Sequence, residues 1–270
     1  MGHVNSRRRF LTTCGLGVSG WVVTRGQAFG AQQQPSPAAT SPAELIKDLV
    51  AANRILAHEQ VLDAFGHVSV RHPRNPDHFL LARSLAPALV EPADILEYDL
   101  DANPIDPRAA ASYRERFIHS EIYRARSAVK AIVHCHTASL IPFGVTGIRL
   151  RPIYHQSAFL AEGVPVFEIR TAAGMTDMLI KDGKLGRALA QTLGSRPAAL
   201  MRGHGAVVVG DSLPTVVGRS VYLDMNARMQ TQAVMLGGKV IYLAPEEARL
   251  YISSNNYDRA WELWRREVSR

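Results

Sequence analysis

The sequence has 270 residues, of which 47% are apolar and 20% are charged, enough for one large domain or two small ones with a sizeable core. This composition excludes a disordered tail protein and a small disulfide-stapled domain. Because there are only two cysteines, no disulfide framework is expected. The formal charge of +7 favours a nucleic-acid or membrane partner only if the basic residues lie on the folded domain.

Much of this positive charge lies in the first thirty residues. The run SRRRFL at 6–11 precedes an apolar stretch of roughly a dozen residues, whereas a membrane-spanning helix needs about 20. This order resembles a twin-arginine export signal and predicts a signal peptide at 1–30 and a periplasmic protein; a disordered basic N-terminus or a short anchor is the alternative. Cleavage would remove four arginines and no acidic residue, lowering the charge from +7 to +3, which is too little to favour nucleic acid.

A flexible linker is expected at 31–40, followed by one domain over 41–270 that begins with Ser41 as N-cap and Pro42 at the first helical position. Helical spacing predicts helices at 43–65, 112–127, from 137 onward, 178–193, 213–236 and 257–264. Short apolar or alternating runs predict strands at 68–70, 79–82, 95–100, after the turn at 101–103, and at 130–136, 164–169, 198–201 and 206–209. These elements, without a glycine-rich dinucleotide fingerprint, predict a single α/β domain with a mixed or antiparallel sheet.

Two histidine motifs indicate a metal site. His134 and His136 lie two residues apart on a predicted strand, so their side chains project from the same face, while Cys135 points away as a packed thiol. His204 lies between two glycines at a strand bend. A chance His-x-His pair and an exposed turn histidine are the alternatives, so each motif alone is a moderate indication of a metal.

Glu115 and His119 form a third candidate group. They are one helical turn apart in a predicted helix, so both side chains share one face of it. Taken alone, this pair is more typical of a solvated helix face than of a functional site.

Together these motifs resemble the class II aldolase/adducin family over about 43–248. In that family a strand His-x-His pair and a later histidine in an Arg-Gly/Asn-His-Gly setting hold a catalytic zinc, and a glutamate about twenty residues before the pair is a ligand or an acid/base. The resemblance implies a divalent metal here, zinc first, with manganese or cobalt also compatible. Its ligands would be His134, His136, His204 and Glu115. The implied fold is a central, mainly antiparallel sheet flanked by helices, assembled as a homotetramer with active sites at subunit interfaces.

The chain departs from the family's sugar-phosphate enzymes where those enzymes bind phosphate. His67 stands in place of a loop asparagine, Arg83 and Ser84 in place of a Ser/Thr-Gly segment, and Arg114 in place of a serine. Bulkier and partly cationic groups suit a carboxylate, which arginine binds through two hydrogen bonds. The replacements resemble the decarboxylase branch, in which these residues would hold the departing or distal carboxylate; a surface role is the alternative for each arginine.

Decarboxylation and retro-aldol cleavage share a chemical logic, because both leave an enolate whose charge a divalent metal stabilises. The first hypothesis is therefore a metal-dependent decarboxylase of a carboxylated aromatic or ring-cleavage product, a β-keto or enol acid. Glu115 would be a metal ligand or the acid/base, and Tyr154 or His155 would protonate the product. A class II aldolase or epimerase acting on a sugar or hydroxy-keto acid is the second hypothesis, and a non-catalytic adducin-like scaffold is the third.

The expected partners follow from these hypotheses. The substrate would be a small-molecule carboxylate, nucleic acid is not expected, and no membrane contact is expected once the signal peptide is removed. The C-terminal helix at 257–264 either closes over a neighbour's site or packs on its own subunit.

Overall fold

The computed structural model describes residues 41–252 and 256–269, so the signal peptide and linker predicted at 1–40 lie outside the described residues. The strands are β1 (His67–Arg71), β2 (His78–Ala82), β3 (Ile95–Asp99), β4 (Ala131–Cys135), β5 (Val166–Phe167), β6 (Ala198–Met201) and β7 (Gly205–Gly210). The helices are α1 (Pro42–His58), α2 (Phe117–Ala125), α3 (Ile141–Val145), α4 (Ile169–Ala173), α5 (Gly183–Leu193), α6 (Leu213–Met235), α7 (Pro245–Ile252) and α8 (Asp258–Val268). Short 3-10 turns cover Pro87–Leu89, Pro92–Asp94 and His155–Leu160.

All seven strands belong to one sheet, in the order β3-β2-β1-β4-β7-β6-β5. Neighbouring strands are antiparallel, with the exception of β5 and β6, which run parallel. The predicted mixed, mainly antiparallel sheet is therefore confirmed. The strands at 198–201 and 206–209, predicted as a hairpin or one bent strand, form the antiparallel hairpin β6–β7.

Strand alternation divides the core into two apolar layers, one on each face of the sheet. On β4, Ala131, Val133 and Cys135 pack in the layer that contains α1, α6 and α8. Ile132 packs in the other layer, with α2 and α5. Cys135 is a buried free thiol, as predicted, on the face opposite the histidines that flank it in the sequence.

The first helix begins as predicted and ends earlier. The Ser41 side chain accepts a hydrogen bond from the Glu44 amide at 3.2 Å, and Pro42 is the first helical residue. The helix ends at His58 instead of continuing to 65, because Gln60 has a φ of 60°, in the left-handed region that a right-handed helix excludes.

Other element boundaries also differ from the prediction. Within the described part of the chain, the strand expected after 101–103 is only an isolated bridge between Tyr98 and Pro104, since proline has no amide to donate to a ladder. Strand β5 has two residues because α4 begins at Ile169. The helix predicted at 112–127 begins only at Phe117.

The C-terminal helix packs on its own subunit, one of the two predicted alternatives. Trp261 and Trp264 are each 8% exposed and belong to the core layer that contains α1. Arg265 forms an ion pair with Asp48 of α1 at 3.2 Å. Among the helices of the described residues, none is long and apolar enough to cross a bilayer.

Candidate metal centre and active site

The pairing of β4 with β7 brings three histidines together. His134 lies in β4 and His136 just after it, on the same face, while His204 lies in the turn before β7. The Nε2 atom of His136 is 3.0 Å from that of His134 and 3.2 Å from that of His204. The three histidines predicted as metal ligands therefore converge on one point.

The glycines around His204 permit this approach. A Cβ atom on Gly205 would clash with the carbonyl oxygen of Cys135, where β7 begins to pair with β4. Gly203 has a φ of 62°, in the left-handed region that glycine adopts at no steric cost. Both flanking glycines are thus requirements of the turn that carries the histidine.

In two of the rings, backbone carbonyls fix the Nδ1 atom, the rear nitrogen that faces away from the point of convergence. The Nδ1 atom of His134 lies 3.1 Å from the Ala206 carbonyl, and that of His204 lies 3.0 Å from the Met178 carbonyl. Because a carbonyl only accepts hydrogen bonds, both Nδ1 atoms must carry the hydrogen.

The third ring is fixed by a carboxylate that the sequence analysis missed. The two carboxylate oxygens of Asp63 lie 3.2 and 3.1 Å from Nδ1 of His136, and the amides of Phe65 and Gly66 donate to the same carboxylate at 2.9 Å. A carboxylate on the rear nitrogen orients a histidine and raises its basicity toward a metal. The only local signal was an acid that closes a turn before a glycine, which is too common to mark a site.

With their hydrogens on Nδ1, the three rings present Nε2 lone pairs to one another at 3.0 and 3.2 Å. Neutral rings in this state cannot hydrogen-bond to one another through Nε2, because none of these three atoms has a hydrogen to donate. Three imidazole nitrogens and one carboxylate oxygen, all within 4.8 Å of one another, form a donor set that suits Zn²⁺, Mn²⁺ or Co²⁺. Four residues fit a divalent metal, and we call them the metal-facing side chains: His134, His136, His204 and Glu115.

Glu115 lies in the turn before α2 and not inside a helix as predicted. Its Oε2 atom is 3.5 Å from Nε2 of His134 and 3.3 Å from Nε2 of His204, and its Oε1 atom accepts a hydrogen bond from the Ile180 amide at 2.8 Å. Burial raises the pKa of Glu115, but positive charge at the imidazoles of His134 and His204 lowers that pKa more strongly, so a cation held at this point would keep the carboxylate ionised. Burial lowers the pKa of His204, but the contact with Glu115 raises that pKa overall, so the carboxylate favours a positive charge beside it.

The segment predicted to begin a helix at 178 instead forms a loop over the site. Asp182 accepts a hydrogen bond from the Leu185 amide at 2.9 Å and caps α5, which starts only at the next residue. Met178 has a φ of 65°, which a right-handed helix excludes. The Met178 carbonyl and the Ile180 amide are the groups that bind the histidine and the glutamate described above, so this one loop positions both.

His67 lies next to the three convergent histidines. It pairs with His134 across β1 and β4, and the two ring centroids are 5.2 Å apart. Its Nδ1 atom is 2.7 Å from Nε2 of His119 on α2. His119 is fully buried, so the solvated helix face is wrong for this residue, and burial lowers its pKa to about 3.

The other predicted substrate-binding residues lie in two loops. Arg83 forms an ion pair with Asp94 at 2.7 Å, and Ser84 follows it in the chain. Arg114 precedes the glutamate of the cluster, is exposed, and lies 3.9 Å from Asp177. Carboxylate binding by these residues stays a prediction, and Arg83 would have to share its guanidinium with an acid that already binds it.

Tyr154 and His155, the two predicted proton donors, pack against helices α6 and α7. The ring of Tyr154 lies 6.4 Å from that of Tyr222, and the ring of His155 lies 4.9 Å from that of Tyr251. Within the described part of the chain, no hydrogen bond, ion pair or ring contact joins either residue to the four metal-facing side chains. A role for either therefore needs a second subunit and stays a prediction.

The family follows from a match along most of the domain. Residues 47–231 match the family described as the Class II Aldolase and Adducin N-terminal domain. The chain belongs to the class II aldolase and adducin family. The resemblance drawn from the histidine and glutamate motifs is thereby confirmed.

Proteins similar to the chain carry decarboxylase names. Decarboxylase tropJ of Talaromyces stipitatus is 37% identical over 83% of this chain and 93% of its own length. The 3,4-dihydroxyphthalate decarboxylase of Arthrobacter keyseri is 28% identical over 81% of this chain and 90% of its own length. These relatives place the chain in the decarboxylase branch of the family and make it a carbon–carbon lyase of the carboxy-lyase class.

Solved structures agree with the fold. An aldolase II superfamily protein from Pseudomonas syringae matches with a TM-score of 0.71 and 23% identity, over 85% of this chain and 94% of that one. The L-fuculose 1-phosphate aldolase from Glaciozyma antarctica matches with a TM-score of 0.67 and 24% identity, over 84% and 87%. At these identities the likeness concerns the fold alone, and it confirms the class II aldolase-like α/β architecture.

Proposed function

We propose that the protein is a metal-dependent decarboxylase of a carboxylated aromatic or ring-cleavage product, a β-keto or enol acid. The observation that carries the proposal is the convergence of three Nε2 lone pairs and one ionised carboxylate on one point. The names of the relatives support the reaction, and the dihydroxyphthalate decarboxylase among them supports an aromatic carboxylate as the substrate.

A divalent cation held by these side chains would stabilise the negative charge that forms on substrate oxygen as carbon dioxide leaves. The chain prepares this site before any substrate arrives. The carbonyls of Met178 and Ala206 and the carboxylate of Asp63 hold the Nδ1 hydrogens, so each Nε2 atom stays an acceptor. Because the Nε2 atoms that would bind the metal are fixed in this way, they need no reorientation during the reaction.

Glu115 would hold and move a proton at Oε2. The Ile180 amide binds Oε1 at 2.8 Å, which leaves Oε2 facing the histidines. Loss of carbon dioxide leaves an electron pair that takes up one proton at carbon. The ionised glutamate would accept a proton from a substrate hydroxyl and return it to that carbon, or Tyr154 or His155 of a neighbouring subunit would supply it.

The substrate's carboxylate would lie against His67, Ser84 and the two arginines. His67 is in ring contact with a metal-facing histidine, which supports a place beside the reacting group. Arg114 is only loosely engaged, since Asp177 is 3.9 Å away, whereas Arg83 is held by Asp94 at 2.7 Å. Arg114 is therefore the freer guanidinium for an incoming anion.

We also propose zinc as the metal, with manganese or cobalt as alternatives, a homotetrameric assembly, and export to the periplasm by the twin-arginine route. Three imidazoles and a carboxylate support zinc. Among the described residues, neither Tyr154 nor His155 contacts the metal-facing side chains of its own chain, so a role for either in catalysis would require an assembly in which it serves a neighbour's site. The SRRRFL run at 6–11 supports export.

Carbon dioxide release is the deciding measurement. The purified protein is stripped of metal, reloaded with Zn²⁺, Mn²⁺ or Co²⁺, and offered hydroxylated aromatic carboxylates and β-keto acids. Aldehyde release from sugar phosphates is followed in parallel. We expect metal-dependent carbon dioxide release; aldehyde release alone would indicate the aldolase alternative, and a metal-loaded protein that releases carbon dioxide from none of the acids contradicts the proposal.

The variant Glu115→Gln separates proton transfer from metal binding. We expect turnover to fall at least about 100-fold, because the amide cannot accept the proton, while the three histidines keep the metal bound. Glu162→Gln, at an exposed glutamate, is the matched control and should retain full activity. Metal content is measured by elemental analysis alongside carbon dioxide release, and full activity of Glu115→Gln would refute the acid/base role.

A further inference from the structure

Behind His67, a chain of four polar side chains runs into the core. Nδ1 of His67 lies 2.7 Å from Nε2 of His119, and Nδ1 of His119 lies 2.6 Å from Oγ of Ser69. The same Oγ lies 2.8 Å from the phenolic oxygen of Tyr123. Each of the four residues is at most 1% exposed, and the proposed reaction uses only the first of them.

The two buried rings are neutral. Both rings are buried, and among the described residues no carboxylate contacts either of the touching nitrogens, so a positive charge on either ring would be buried without an ionic partner there. A neutral imidazole has one hydrogen on one of its two nitrogens, so one ring donates and the other accepts. The contact alone does not decide which ring is the donor.

The tyrosine at the far end of this hydrogen-bonded chain decides which groups donate and which accept. The Tyr123 hydroxyl has two acceptors within reach, Oγ of Ser69 at 2.8 Å and the Lys130 carbonyl at 3.5 Å. The first is an ordinary O–H···O distance, and the second is beyond the usual range. Burial raises the pKa of Tyr123, so its hydrogen is retained. Tyr123 therefore donates to Ser69.

The donor role of Tyr123 sets the donor and acceptor roles of the next three side chains, ending at His67. Ser69 accepts from the tyrosine. Within the described part of the chain, its own hydrogen has no hydrogen-bond acceptor besides Nδ1 of His119, so it donates there. His119 then has its hydrogen on Nε2 and donates it to Nδ1 of His67. Since Nδ1 of His67 is an acceptor, the hydrogen of that ring is on Nε2.

We propose that this buried chain makes His67 a fixed hydrogen-bond donor that presents Nε2–H to the carboxylate of the substrate. The role rests on the proposed function, in which His67 binds that carboxylate. His119, Ser69 and Tyr123 are positioning residues that act through it. His67 is therefore the opposite tautomer to the three metal-facing rings, because its hydrogen is on Nε2 and theirs are on Nδ1.

Nitrogen NMR tests the polarity directly. The protein is labelled with ¹⁵N-histidine, loaded with diamagnetic Zn²⁺, and its ring nitrogens are correlated with the carbon-bound ring hydrogens, a pattern that distinguishes Nδ1–H from Nε2–H. Signals of His67 are assigned by their loss in His67→Gln. We expect Nε2–H for His67 and His119 and Nδ1–H for the metal-facing rings. An Nδ1–H or doubly protonated His67 would overturn the proposal, whether or not the protein decarboxylates any acid.

Ser69→Ala interrupts the chain between the tyrosine and the imidazoles. We expect a mixture of His67 tautomers and a KM for the carboxylate substrate that rises about tenfold, with metal content unchanged. Ser220→Ala is the matched control, because Ser220 is a buried serine of α6 whose Oγ donates to the Val216 carbonyl at 2.8 Å. It should leave tautomers and KM unchanged.

Tyr123→Phe keeps the aromatic ring that fills the core and removes only the first hydrogen-bond donor. It therefore provides a second test in case the Ser69→Ala protein fails to fold. We expect the same mixture of His67 tautomers, since the serine hydroxyl is then free to donate or accept. Tyr98→Phe, at a buried tyrosine whose hydroxyl donates to Ser112 at 2.9 Å, is the control. A single Nε2–H tautomer of His67 in Tyr123→Phe and in a folded Ser69→Ala would refute the positioning role.

Discussion

Two groups of histidines meet where His67 of β1 pairs with His134 of β4, and the two groups have their ring hydrogens on opposite nitrogens. In the metal-facing group, every rear nitrogen meets a carbonyl or a carboxylate, and the front nitrogens converge as lone pairs 3.0 and 3.2 Å apart. In the buried group, His67 and His119 meet nitrogen to nitrogen at 2.7 Å. A serine hydroxyl lies behind the second ring of that pair.

The difference shows that the hydrogen-bond partner of one ring nitrogen decides whether the other nitrogen donates or accepts a hydrogen bond. Carbonyl and carboxylate oxygens only accept, so they set the tautomer of the metal-facing rings without help from anything beyond them. A hydroxyl both donates and accepts, so the buried pair takes its direction from Tyr123, two contacts further away. The following variants test whether the two groups depend on their partners in these different ways.

The largest expected effect is loss of a direct metal ligand. In His204→Ala, affinity for Zn²⁺ should fall by more than about 100-fold, beyond the 10- to 100-fold range typical of residues that only support a ligand. Competition against a chromophoric chelator measures the affinity. His72→Ala, at a histidine that binds the amides of Arg74 and Asn75, should leave it unchanged, and equal affinities in both variants would exclude His204 as a ligand.

Asp63→Asn should have a smaller effect on the same measurement. The asparagine oxygen still accepts the amide hydrogen bonds of Phe65 and Gly66, but its amide group no longer obliges His136 to keep a hydrogen on Nδ1. We expect a loss of about 10- to 100-fold in Zn²⁺ affinity. Asp106→Asn, at an exposed aspartate, serves as control, and an affinity equal to that of the unmodified protein would show that the carboxylate does not tune the ligand.

The smallest expected effect separates the two groups. Tyr123→Phe should lower the free energy of unfolding by about 1 kcal/mol, since one buried hydrogen bond is lost, and should leave Zn²⁺ affinity within about twofold. Denaturant unfolding of the metal-loaded protein and the chelator competition measure the two quantities. A large loss of metal affinity would mean that the buried chain and the metal-facing group act as one unit.

The sequence was sufficient for those parts of the site that depend on local periodicity. His134 and His136 share a face because strand side chains alternate, and His204 needs the glycines that flank it. The mainly antiparallel sheet also follows from short apolar runs separated by turns. These features are set by residues close together in the chain.

The missed features depend on contacts between distant segments. Helical spacing placed Glu115 and Met178 within helices, but tertiary hydrogen bonds hold both in loops, with the Ile180 amide on the glutamate and the Met178 carbonyl on His204. Asp63 gave no usable signal because its partner His136 lies on another element. Periodicity reports neither kind of contact, since each involves one backbone or side-chain group and no repeating pattern.

The four metal-facing side chains come from three separate segments: the turn before α2, the end of β4, and the turn between β6 and β7. No unfolded chain holds these segments together, so a cation that binds all four binds only the folded protein. Its binding energy is then added to the stability of the fold by mass action, growing with the logarithm of the free metal concentration above the dissociation constant. If the proposed metal binds, the folded population of this protein would depend on metal supply, independently of whether substrate is present.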